Sequence, residues 1–148
     1  MARVLDVAAY ILKRQGPMVA TKLQKLVYYA QAWSLVWDEK PLFNARIEAW
    51  ANGPVVPELY RVHRLQYEVT GIPGADPSRL ADNERETIDA VLTYYGDKPP
   101  MWLSELTHAE SPWKDARKGL APGDRSTREI PLSAMSEYYE SLLGVENT

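Results

Sequence analysis

The 148-residue chain contains no cysteine, two histidines and a single phenylalanine. Without cysteine there is no disulfide scaffold, no thiolate metal site and no cysteine nucleophile, and the composition fits a reducing compartment. Two histidines are too few to build a histidine-based zinc site. No apolar run approaches the roughly 18 residues of a membrane span. The start Met1-Ala2-Arg3-Val4-Leu5-Asp6 meets charge too early for a signal peptide, so the expected location is cytoplasmic. A basic excess is missing too. Lys and Arg total 17 against 20 Asp and Glu, a net charge of −3, whereas a domain that grips phosphate backbone usually carries the opposite balance. Glycine-rich nucleotide loops, HExxH, GxSxG and EF-hand loops are all absent, so no cofactor is expected.

What remains is an ordinary globular composition, 45% apolar and 25% charged, with an aromatic set of five Trp and nine Tyr. Length and composition predict one domain over 1–148. Trp and Tyr suit half-buried positions where a polar tip meets water or a partner.

Helical periodicity runs through Val4, Leu5, Ala8, Ala9 and Leu12, and Gly16-Pro17 ends that helix. Thr21-Lys22-Leu23-Gln24 has the form of a capping box. From there to Trp37 the apolar residues cover more than one face, which predicts a central helix packed on several sides. Arg46 to Trp50 alternates polar and apolar, and Asn52-Gly53-Pro54 is a turn, so 42–56 reads as a short irregular or β segment. Further helices are predicted over 55–68, over 82–95 with Asp82 as N-cap, over 101–107, after an N-cap at Ser111, and over 131–143. Residues 70–77 and 120–129 read as loops. The fold class is therefore mainly α, a single compact helical domain of about six helices.

Chemistry-bearing residues are few. His63, among Arg61, Arg64 and Glu68, reads as part of a solvated face. His108 and Ser111 lie close in sequence, but a hydrolytic pair must meet through geometry, and Ser111 suits a helix cap. Glu84 and Glu86 suit a helix N-terminus. The stretch Lys114, Arg117, Lys118, Arg125 and Arg128 offers local positive charge. The first two helices have helix-turn-helix spacing, but the second is too apolar to spare a face for DNA.

The run Lys22-Leu23-Gln24-Lys25-Leu26-Val27-Tyr28-Tyr29-Ala30-Gln31-Ala32 resembles the Panacea family of SocA-like antitoxins and GepA-type phage-associated proteins. So do Ile47-Glu48-Ala49-Trp50 with Asn52-Gly53-Pro54-Val55-Val56, Leu59-Tyr60, Trp102-Leu103-Ser104 and Ser111-Pro112-Trp113. The likeness extends over about residues 4–140. It implies a helical cytoplasmic antitoxin that neutralises an adjacently encoded protein toxin by direct contact, without catalytic residues. Such binding would either cover the toxin or deliver it to a ClpXP-type protease. Candidate anchors for the partner are Trp50, Tyr60 and Trp113, with Arg117, Lys118 and Arg125 as an electrostatic guide. The alternative is a phage-associated transcriptional regulator or nucleic-acid-binding protein, and the net negative charge weighs against it.

Overall fold

The computed structural model describes residues 1–146. In chain order these form α1 (Val4–Gln15), β1 (Met18–Val19), α2 (Ala20–Trp37), β2 (Glu48–Trp50), β3 (Gly53–Val55), α3 (Pro57–His63) and β4 (Glu68–Val69). A 3-10 turn (Pro77–Arg79) follows, and then α4 (Asp82–Tyr95), α5 (Pro100–Ala109), α6 (Ser111–Ala116) and α7 (Leu132–Glu146). The mainly helical class holds, with seven α-helices among the described residues. The short helix expected after Ser111 is α6, six residues long.

The fold is organised by α2, because every residue from Leu23 to Ser34 is buried or nearly so. A helix apolar on all sides needs neighbours all round. Here α1, α4, α5 and α7 supply them, and residues 23–34 have no face left over for a DNA groove.

Two buried glutamines interrupt this apolar surface. Gln31 is fully enclosed and holds the chain as it leaves α2 and turns back. Its Nε2 donates to the Phe43 carbonyl at 2.9 Å, and its Oε1 accepts from the Leu42 and Phe43 amides at 2.8 and 3.2 Å. Irregular backbone buried in a core needs such partners for its polar groups. Beyond it, β2 and β3 form an antiparallel hairpin pairing Glu48 with Val55 and Trp50 with Gly53. The later segment 128–130 joins its edge through Ala49 N–H to Arg128 O and Ile130 N–H to Ile47 O, each 2.8 Å.

Four sequence expectations are corrected. Thr21 does not cap α2: β1 pairs with β4, Met18 opposite Val69, and this sets the helix start at Ala20, with Val19 at the N-cap. Gln24, the other half of the supposed capping box, points into the interior instead. The third helix does not run over 55–68 but stops at His63, because Leu65 and Tyr67 are 91% and 85% exposed and have no apolar partner to hold another turn. Finally, Asp82 and Ser111 are first helical residues, with Ala81 and Glu110 at the N-caps. Glu84 serves the start of α4 by accepting the Ala81 N–H at 2.8 Å.

Behind α2 lies a tyrosine cluster built round a buried carboxylate. Tyr29 and Tyr139 donate to Glu110 Oε1 at 2.8 and 2.6 Å, and the Tyr28 hydroxyl lies 3.1 Å from that of Tyr139. Burial holds the Glu110 carboxyl above its ordinary range, against the opposing pull of its two donors. Tyr139→Phe removes one donor from this carboxylate and is expected to lower stability by about 1.5–3 kcal/mol, the value of a hydrogen bond to a charged group. Urea unfolding at neutral pH measures it; a loss under about 0.5 kcal/mol would show that Glu110 does not depend on that hydroxyl.

Candidate functional site

The N-terminal half of α2, the β2–β3 hairpin, α3 and residues 125–127 enclose an open groove of about 580 Å³. One wall is aromatic. Trp50 and Tyr60 meet edge to face with ring centroids 4.8 Å apart, and the Trp50 indole donates to Glu48 Oε1 at 2.8 Å. Trp50 is half-buried and Tyr60 is 36% exposed, so both rings are held by the fold yet reachable from outside. Arg64 and Arg125 are exposed and also line the groove, and neither forms an ion pair among the described residues.

The floor is polar. Gln24 Oε1 accepts the Val56 N–H at 2.9 Å, which fixes that end of the amide as the oxygen. Its Nε2 therefore faces His63 Nε2, 2.9 Å away, and donates to it. A neutral His63 that accepts at Nε2 carries its proton on Nδ1, and Nδ1 is buried without a partner. His63 is thus not part of a solvated face: it is 3% exposed, and burial pulls its pKa down. The spacing signals this, because His63 lies four residues after the buried Leu59 and so on the same face of α3.

Next to Gln24 on α2, Lys25 is 2% exposed and has no carboxylate within ion-pairing distance among the described residues. Desolvation lowers its pKa from 10.5 to about 8. Its side chain packs against Gly53, where a Cβ would fall 2.5 Å from Lys25 Cε; the φ of Gly53, +128°, is itself one that favours glycine. The lysine end could shift to relieve that contact, so the backbone angle is the stronger reason for glycine at this turn. Sequence reasoning missed Gln24, Lys25 and His63 as site residues. The available signal for Lys25 was a lysine set inside a helix that is apolar on several faces.

Of the six residues singled out from sequence, Trp50, Tyr60 and Arg125 line the groove. Trp113 and Arg117 stand behind the hairpin. The Trp113 indole donates to the Trp50 carbonyl at 2.8 Å and its ring stacks on His108 with centroids 4.1 Å apart. Arg117, 6% exposed, donates to the Ala49 and Asp124 carbonyls at 3.1 and 2.7 Å, with its guanidinium 5.1 Å from the Trp113 ring. It ties the hairpin to the 121–124 turn. Lys118 is exposed and is not among the groove residues. His108 and Ser111 do not form a catalytic pair here: the His108 Nε2 is buried with no partner, its ring covered by Trp113. No metal-ligating cluster occurs among the described residues, and no helix in them is long and apolar enough to cross a membrane.

The arrangement defines a small helical domain that presents a preformed aromatic and cationic groove over its central helix. The family described as antitoxin SocA-like, Panacea domain, matches residues 23–114, and the chain belongs to that family. Antitoxin SocA of Caulobacter vibrioides (strain NA1000 / CB15N) is 47% identical over 45 residues, which are 30% of this chain and 24% of that protein. The chain thus aligns with only about a quarter of that relative's length. No solved structure matches. The family match includes Gln24, Lys25, Gln31, Trp50, Gly53, Tyr60, His63 and Trp113; Arg117, Lys118 and Arg125 fall outside it.

Proposed function

We propose that this chain is an antitoxin that neutralises a cognate protein toxin, encoded next to it, by binding it at the groove. The observation that supports this most is the pairing of two reachable, fold-held aromatic rings with cations that the chain leaves unpaired, in a member of an antitoxin family. Rigid Trp and Tyr side chains supply large contact area at low entropic cost, and rim cations steer an oppositely charged partner. The groove is suited to steric block of the toxin. Delivery to a ClpXP-type protease is the second route, and it would add a contact elsewhere on the surface. Trp113 and Arg117 act in this scheme as supports for the hairpin that carries Trp50, while Arg125 and, further off, Lys118 act through charge.

The test is calorimetric titration of the adjacently encoded protein into the wild-type chain and into Trp50→Ala and Tyr60→Ala. Each substitution is expected to weaken binding about 30-fold or more, the effect of a central anchor of about 2 kcal/mol. Thermal melts of the free variants separate this from unfolding. Unchanged affinity in both folded variants would remove the groove from the interface.

A further inference from the structure

The groove contains a buried positive charge without an ion-pair partner among the described residues. Lys25 is enclosed on the central helix with no carboxylate beside it, and replacing a buried, unpaired ion with an apolar side chain usually stabilises a protein. The end of the Lys25 side chain lies against Gly53 at the hairpin turn. The imidazole close enough to feel the Lys25 charge is His108 of α5, and elsewhere in the groove lining the His63 Nδ1 proton also lacks an acceptor. Among the fifteen residues that line the groove there are Lys25, Arg64 and Arg125 but no Asp or Glu, in a chain whose net charge is −3. We propose that Lys25 is the receptor for a carboxylate of the bound toxin, an Asp or Glu side chain of an acidic segment that lies along the Trp50 and Tyr60 rings. This deepens the antitoxin reading and rests on it.

The chemistry favours a protein carboxylate over a nucleic acid. An acidic side chain carries its charge on a short apolar stem, and that stem suits the aromatic wall while the oxygens meet the ammonium. A polyanion would have to approach a molecule of the same overall sign. Inside the groove, low local polarity strengthens the single ion pair that forms. The ammonium is desolvated in the free protein already, so part of the desolvation is complete before the partner arrives.

The experiment compares the wild-type chain with Lys25→Met and Lys25→Gln for binding to the adjacently encoded protein, between pH 6.5 and 9.5, with melting curves of each free protein. Both variants are expected to stay folded at pH 7 and to bind at least 30-fold more weakly than wild type. Wild-type affinity should fall above about pH 8, by up to about tenfold per pH unit, as the free ammonium loses its proton. The variants should lack this fall. If wild type and both variants bind alike, with the same pH profile, the carboxylate receptor is overturned and the antitoxin reading stands. If the wild-type chain forms no complex at all, both fall. Binding of a single-stranded oligonucleotide that is lost in Lys25→Met would overturn the carboxylate in favour of phosphate recognition.

Discussion

Replacing Gln31 with leucine is expected to destabilise the protein by about 3–5 kcal/mol, although leucine is close in size and more apolar than the residue it replaces. The reason is that Gln31 satisfies three backbone groups of the 42–43 segment at once, two N–H donors and one carbonyl, from a fully buried position. Leucine leaves all three without partners, and each buried unsatisfied group costs about 1–3 kcal/mol. Partial relaxation of the segment keeps the total below the sum. Denaturant unfolding gives the number directly from the shift in midpoint at constant slope. A loss under about 1 kcal/mol would mean that the segment is not held by this side chain, and the hairpin beyond it would lose its explanation.

The second large effect has the opposite sign. Lys25→Met is expected to raise stability at pH 7. The ammonium is disfavoured in the folded state, with a pKa of about 8 against 10.5 in the unfolded chain. At about 1.4 kcal/mol per pH unit this sets a ceiling of about 3.5 kcal/mol for the gain. The pH dependence follows from the same shift. Below about pH 8 the lysine is charged in both states and the full penalty is present. As pH rises from about 8 to 10.5 the folded state releases its proton first, the wild type gains stability relative to the variant, and above 10.5 the difference is gone. Thermal melts of both proteins at pH 7 and pH 10 measure this. A variant less stable than wild type at pH 7 would show that Lys25 has a structural partner. A more stable protein that binds its partner less well is the pattern of a residue kept for function at the expense of the fold.

The helical frame was largely readable from periodicity and punctuation. Gly16-Pro17, Pro99-Pro100 and Gly96 mark helix ends near where they occur, and the broad apolar surface of 23–37 correctly implied a central helix. What failed was decided by partners distant in sequence. Thr21 and Gln24 have the right types for a capping box, but the start of α2 is set by pairing between strands of two residues some fifty positions apart, and such short strands carry no period. The third helix ended early because Leu65 and Tyr67 meet only solvent. The aromatic wall of the groove was accessible as residue types, since Trp50 and Tyr60 stand out in composition. Its polar floor was not, because Gln24 and Lys25 of α2 meet His63 of α3 only in the folded chain. Arg117 illustrates the same point from the other side. It looks like one more cation in a polar stretch, yet it follows Trp113 by one helical turn and lies over that ring, buried against the hairpin carbonyls.

The most direct test of the antitoxin reading is growth of cells that express the adjacently encoded protein, first alone and then with this chain as wild type, Trp50→Ala or Lys25→Met. The expected result is arrest by the neighbour alone, recovery with the wild-type chain, and arrest again with either variant although both accumulate as folded protein. A neighbour that leaves growth untouched, or recovery that is equally full with every variant, would contradict neutralisation through the groove.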